Sequence, residues 1–313
     1  MVRIIIAGSN YESMWALSRQ AGWNQTGQDL AMLTASHPSS NILAISTNDS
    51  THVGSGLVIN AGASLAWIGM ILVDHRFRRQ GIATALMKQC MHLARSEMKN
   101  TVVGLDATAA GLQVYKTLGF EPSFRIWRCI VPTNVDFYNN SSSTTIVASD
   151  VSECECFIKR IRLDSKMTGF KLIRQLFPEG QWVAKNRTEV KGLVMTRPGR
   201  LKPFVGPLLA DSVNTAKSLL CQALAFWNDQ GYNEVFMDIP EFHFHSASTW
   251  KQERNMAPPS GCTLTDQIDI SRCLVRMYEL ISGSNAYTST LGHMEQERES
   301  LRYLYATGGP ELG

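Results

Sequence analysis

The stretch Leu65 to Ala94, LAWIGMILVDHRFRRQGIATALMKQCMHLA, constrains this chain most, because its periodicity changes abruptly within a few residues. Leu65 to Val73 is apolar almost without a break and contains Trp67, Ile68, Ile71 and Val73, which predicts a strand buried on both faces. Asp74 ends it. After Gly81, apolar residues recur at Ile82, Leu86, Cys90, Leu93 and Ala94, the three-to-four spacing of a helix with one buried face. Between strand and helix stands a basic turn, His75 to Gly81.

A helix start exposes unpaired N–H groups and about half a positive charge, so an anion there is held by backbone donors and dipole together. Gly81 lets the backbone approach such an anion closely, and Arg78 and Arg79 add the positive charge that a diphosphate needs. The nucleotide fingerprints G-x-G-x-x-G and G-x-x-x-x-G-K-[ST] are both absent from this turn. What fits is [RQ]-x-x-G-x-[GA], here Arg78 Arg79 Gln80 Gly81 Ile82 Ala83, followed downstream by Tyr115 Lys116 Thr117 Leu118 Gly119 Phe120.

These two motifs, in the order strand, turn, helix, strand, helix, resemble the GNAT superfamily of N-acetyltransferases. The resemblance implies an α+β fold with a mixed sheet and an acetyl-CoA site formed by Arg78, Arg79, Gln80, Gly81, Ile82, Ala83 and Thr84. The pantetheine arm would pair with backbone at Ile71, Leu72 and Val73, where the central strand and the next one splay apart. It further implies that Tyr115 stands beside the sulfur and protonates it; on spacing alone, Tyr115 shares a helix face with Leu112 and Leu118 and reads equally as a packing aromatic. Trp23 and Asn24 fall in the loop that borders the acceptor site in this family. The family often has an asparagine near the start of the following helix, where this chain has Thr108, Ala109 and Ala110.

The general base is less legible. Asp106 ends the fifth predicted strand near the expected acceptor site, but an aspartate there equally caps the next helix, and we favour the cap. An ordered water chain is the alternative base. His243 and His245 have no third ligand at a telling spacing, so no metal is expected.

Before this stretch, Val2 to Ala7 reads as a strand, Tyr11 to Ala21 as a helix, and Thr26 as the cap of a second helix running through Leu33. Ile42 to Ser46 and Gly54 to Ile59 read as a hairpin around Asn48 Asp49 Ser50. After it come a strand at Thr101 to Leu105, a helix at Ala109 to Leu118 stopped by Gly119, and a strand at Phe124 to Val131.

The polar run Asn139 to Ser143 marks a boundary, beyond which the order repeats. Strands are predicted at Thr145 to Ala148, Gln181 to Lys185, Val190 to Thr196, Phe204 to Ala210 and Val235 to Ile239. Helices are predicted at Val151 to Arg162, Gly169 to Leu176 and Val213 to Trp227. The second cradle position reads Asp211 Ser212 Val213 Asn214 Thr215, with no arginine or glycine, and an acid there opposes a diphosphate. The tandem resembles a two-domain bacterial acetyltransferase family: residues 1–135 as the acetyl-CoA-binding half, 136–144 as linker, 145–280 as a degenerate GNAT-like half, and 281–313 as a helix (Glu295 to Tyr305) and tail.

Composition agrees. A chain of 313 residues with 44% hydrophobic content suffices for two cores, and a net charge of +3 is too small to argue for nucleic acid. Seven cysteines without a C-x-x-C pair suit a reducing compartment. No stretch reaches the ~18 apolar residues of a membrane span and the opening lacks a signal pattern, so a cytoplasmic protein is expected. The activity implied by the resemblance is acetyl transfer from acetyl-CoA to a primary amine of a small molecule or peptide. A non-catalytic acyl-CoA-binding or sensing protein is the alternative.

Overall fold

The computed structural model describes residues 1–61, 65–98, 102–134, 144–148, 157, 180–244, 262, 264, 265, 267, 269–279 and 304–306. The chain opens with β1 (Val2–Ile6), α1 (Glu12–Gln20) and α2 (Gly27–Ser36). Thr26 and Asp29 start α2 reciprocally: the Asp29 N–H donates to the Thr26 hydroxyl at 3.1 Å, and the Thr26 N–H donates to the Asp29 carboxylate at 2.7 Å. Two orphan donors are thereby satisfied. The antiparallel strands β2 (Asn41–Ser46), β3 (His52–Asn60) and β4 (Leu65–Val73) follow. Then α3 (Ile82–Ser96) crosses to β5 (Val102–Thr108), parallel to β4. The next helix, α4 (Ala109–Thr117), ends before Gly119, whose φ of 88° suits a residue without Cβ, and β6 (Phe120–Pro132) returns.

The second half repeats this scheme with β7 (Thr145–Ala148), β8 (Gln181–Asn186), β9 (Glu189–Arg197), β10 (Phe204–Ala210), α5 (Val213–Asp229) and β11 (Glu234–Pro240). After it come β12 (Asp269–Glu279) and β13 (Leu304–Ala306). The helices expected over 151–162 and 169–176 lie outside the described residues, as does the expected linker up to residue 143.

Among the described residues all the strands join one sheet, in the order β1-β2-β3-β4-β5-β12-β6-β11-β10-β9-β8-β7, with β13 paired to β10. The strands do not stay on their own side of the boundary expected at residues 136–144. β12, which falls in the expected second domain, is inserted between β5 and β6 of the first half, and β6 in turn pairs with β11 of the second. Each half lends its last long strand to the other. At the centre Ile126 faces Leu274, and the pairs Phe124–Arg276 and Arg128–Arg272 flank it on either side, so a local twofold passes through the β6–β12 ladder.

The cores follow the predicted stripes. Leu86, Met87, Cys90, Leu93 and Ala94 of α3 are buried together with Val103 and Leu105, and Leu219, Leu220, Ala223, Leu224 and Trp227 of α5 with Leu208 and Val235. A further cluster crosses the junction, joining Met14, Leu30, Leu33 and Trp67 of the first half to Leu193, Met195 and Phe204 of the second. The helix expected over Glu295 to Tyr305 is contradicted where the chain is described: Leu304–Ala306 is a strand, antiparallel to β10.

Candidate functional site

β4 and β5 pair only at Leu65–Val102, Ala66–Val103 and Trp67–Gly104. Beyond Gly104, β5 is engaged on its other side by β12 through Thr108. The strands separate because β4 is kinked: Met70 has φ of 55°, and the β3–β4 register slips between Ser55 and Leu57. An extra residue on one strand bends it and increases its twist. The Ser55 hydroxyl donates to the Met70 carbonyl at 2.9 Å, pinning the bulge. From Ile71 to Val73, β4 therefore has β3 along one side and, among the described residues, no strand along the other. The splay that the resemblance implied is present.

The basic turn follows directly on the unpaired end of β4. Asp74 holds it in shape: the Arg76 N–H donates to Asp74 at 2.9 Å, and the Arg76 guanidinium grips both carboxylate oxygens at 3.1 and 2.9 Å. These donors, the Arg76 side chain foremost, keep the Asp74 carboxyl far below the usual carboxylate range. The Arg78 Nε donates to the Val73 carbonyl at 3.2 Å, tying the turn to the strand end. Arg78, Arg79, Gln80 and Gly81 are all exposed. Gly81 sits at the N-cap of α3 with φ of 75° and offers no side-chain cap to the first N–H groups of the helix. Ile82 is 3% exposed and anchors the helix start in the core, while Ala83 and Thr84 are half-buried.

A cavity opens beside the splay. Its wall includes Ile68 to Ile71 of β4, Leu105, Asp106 and Thr108 of β5, Tyr115 of α4, Trp23 and Gln25 of the α1–α2 loop, Arg128 of β6, and Arg272 and Leu274 of β12. The structure thus brings together Ile71, Tyr115 and Trp23, which are far apart in sequence. Tyr115 is buried, with its ring 6.3 Å from that of Phe120. Burial raises its pKa well above that of an ordinary phenol, chiefly because ionisation would put a charge in a desolvated site. The proton is therefore kept at neutral pH.

Two expectations are corrected. Asn24 is not available to a substrate. It is buried, with its amide donating to the Lys202 carbonyl at 2.9 Å and its carbonyl accepting from the N–H groups of Leu201 and Lys202 at 2.9 and 3.2 Å. It clasps a turn of the second half, helped by Arg200, whose Nε donates to the Trp23 carbonyl at 2.9 Å. Asp106 is neither base nor helix cap. Its carboxylate takes Arg276 of β12 in a bidentate pair at 2.9 and 3.0 Å, with the Asp106 side chain 0% exposed. The N-cap of α4 is Thr108. Sequence reasoning did not mark Arg128 of β6 as a site residue, and it missed Arg272 and Leu274 altogether, since nothing local marks a strand borrowed from the other half.

The second half has the same kink but not the same opening. β10 and β11 pair in parallel only at Phe204–Phe236, and the β9–β10 register slips between Val205 and Leu208. Here β13 pairs with β10 at Leu208–Ala306 and Leu209–Leu304. The corresponding helix start is closed by its own side chains: the Thr215 N–H donates to the Ser212 hydroxyl at 3.2 Å, and the Thr215 hydroxyl donates to Asp211 at 3.0 Å.

The family model described as acetyltransferase (GNAT) domain matches residues 23–125. No curated protein matches the sequence. Among solved structures, a Pyrococcus horikoshii protein provisionally described as an acetyltransferase is similar over 100% of this chain and 96% of its own, with TM-score 0.68 at 19% identity. A GCN5-related N-acetyltransferase from Sphaerobacter thermophilus is similar over 89% and 95%, with TM-score 0.62 at 13% identity. A tandem GNAT protein from the clavulanic acid biosynthesis pathway is similar over 89% and 98%, with TM-score 0.58 at 12% identity. The fold is that of the GNAT acetyltransferases, arranged in tandem. The family signature itself covers residues 23–125 of the first half.

Proposed function

We propose that this protein is an acetyl-CoA-dependent N-acetyltransferase acting on a primary amine of a small molecule or peptide, with its chemistry in the first half. The observation that carries the reading is the shared cavity: Ile68 to Ile71 of β4, the buried phenol of Tyr115 and the indole of Trp23 line one space, and the unpaired end of β4 leads along the chain into a basic turn and a helix start without a side-chain cap. These residues fit an acyl-CoA. Arg78, Arg79 and the N–H groups from Gly81 onward would hold the diphosphate, and the backbone of Ile71 to Val73 would pair with the pantetheine amides.

When bound, acetyl-CoA supplies a thioester whose carbonyl carbon the amine attacks. Tyr115 donates its proton to the departing sulfur, a role that its raised pKa supports by keeping the phenol neutral. The proton lost by the amine leaves through water, because the only carboxylate on the described cavity wall, Asp106, is locked to Arg276. Trp23 forms part of the acceptor wall.

The test is release of free thiol from acetyl-CoA against a panel of amines, with acetyl-CoA binding followed by calorimetry. Binding with amine-dependent turnover is expected. Binding without turnover on any amine would instead support an acyl-CoA sensor, and no binding would overturn both readings.

A further inference from the structure

Two guanidinium groups stand on the cavity wall, and they are not equivalent. Arg128 is held by Asp238 through two bonds of 2.7 Å, which occupy both carboxylate oxygens. Arg272 has no hydrogen-bond or ion-pair partner among the described residues. It lies directly opposite Arg128 across the β6–β12 ladder. Like charges facing each other on one sheet face are unfavourable. Burial disfavours the Arg272 cation further, Arg128 adds to this, and Asp238 offsets part of it. A cation so little compensated among the described residues is a site prepared for an anion.

The local twofold sharpens the point. The strand position related to Arg272 is Phe124, which faces Arg276 as Arg272 faces Arg128. Phe124 packs on Phe242 with centroids 5.8 Å apart. The half with the open splay therefore has a cation where the other half has a phenyl ring. That cation arrives on the borrowed strand β12, so the first half's cavity is incomplete without the second.

We propose that Arg272 binds a carboxylate on the acceptor itself, so that the acceptor is an amino acid or a related amine bearing a carboxylate on the same skeleton. This rests on the N-acetyltransferase reading above. The anion is a monoanion because, among the described residues, one cation is left over: a carboxylate matches it in charge and in the bidentate geometry of a guanidinium, whereas a phosphate dianion would leave a charge unbalanced beside Ile68, Met70, Leu105 and Leu274. The diphosphate of an acyl-CoA has its own cradle at Arg78 to Gly81.

The experiment uses the full-length protein and acceptor pairs that differ only in the carboxylate, each amino acid against its carboxamide, with simple alkylamines alongside. For at least one pair, the wild type is expected to prefer the acid in kcat/KM by roughly 10²-fold, and Arg272→Ala to abolish that preference by raising KM for the acid alone. Arg272→Lys should restore part of it, and acetyl-CoA affinity should be unchanged in both variants. Equal use of acid and amide in every pair, or an unaffected Arg272→Ala, overturns the inference while leaving the acetyltransferase reading intact. Weakened acetyl-CoA binding in Arg272→Ala also overturns it, since the cation would then serve the co-substrate.

A second readout needs no turnover. With CoA present, N-acetyl amino acids should bind the wild type in calorimetry and their carboxamides should not, a selectivity lost in Arg272→Ala. Selective binding without turnover on any amine would sustain the anion site and sink the proposed activity.

Discussion

Asp106 of β5 and Arg276 of β12 are 170 positions apart in sequence, yet they face each other in register and share two hydrogen bonds with almost no exposure to solvent. The Arg276 guanidinium also lies 4.8 Å over the ring of Trp67. Its counterpart across the local twofold is Arg128, paired with Asp238 and 5.6 Å over the ring of Phe204. The two pairs rivet each half to the strand lent by the other.

Breaking one rivet should therefore be costly, and replacing both of its partners should not. Arg276→Met alone leaves the Asp106 carboxylate buried without its guanidinium, which is expected to cost about 3–5 kcal/mol. Arg276→Met combined with Asp106→Leu should recover most of that loss. A denaturant-melt cycle of wild type, both single variants and the double variant measures it, and additive losses would show that the two residues do not depend on each other.

Tyr115→Phe keeps the ring against Phe120 and removes only the hydroxyl. We expect kcat to fall by roughly 10²-fold or more, with acetyl-CoA affinity nearly unchanged. Because burial raises the pKa of this phenol, ionisation of Tyr115 should not reduce the wild-type rate anywhere below pH ~10. Steady-state kinetics across that range, with calorimetry for affinity, gives both answers. A variant of wild-type kcat would leave Tyr115 a packing residue.

Gly81 combines a φ of 75° with open space around its missing Cβ, so Gly81→Asp strains the backbone without a clash and sets a carboxylate at the helix start. Together with Arg78→Ala it should weaken acetyl-CoA binding by at least about 10²-fold. Titration of the folded variant is the check, and unchanged affinity would remove the turn from the site.

The second half should bind no acyl-CoA, although its strands diverge at the same point. Its helix start carries Asp211 and the Ser212 cap, and β13 pairs with the part of β10 that corresponds to the open edge of β4. Calorimetry is expected to give one acetyl-CoA per chain. Two would show that β13 yields and that the acidic cap does not repel the diphosphate.

What could be read from the sequence was what local chemistry encodes. The strand, turn and helix from Leu65 onward were legible because burial sets their periodicity, and the start of α2 because Thr26 is a capping residue type. β12 was not, since Arg272 and Arg276 interrupt its apolar pattern and the strands it pairs with, β5 and β6, are more than a hundred residues away. Asn24 sits in a loop that resembles an acceptor site, but its contacts come from residues 199–202, which no local rule connects to it. The stretch around Leu304 has the composition of a charged helix, and pairing with β10 overrides that propensity.

The exchange of β6 and β12 also bears on how the protein is made. On the ribosome the N-terminal half emerges with β5 and β6 side by side in sequence but lacking the strand that belongs between them. That strand leaves the exit tunnel only after residue 279 has been added. Until then two long edges stand unpaired, the arrangement most open to capture by another nascent chain. Stop codons or protease cuts anywhere between residues 135 and 268 would thus release not a smaller folded protein but a fragment with a gap at the centre of its sheet, fit for degradation.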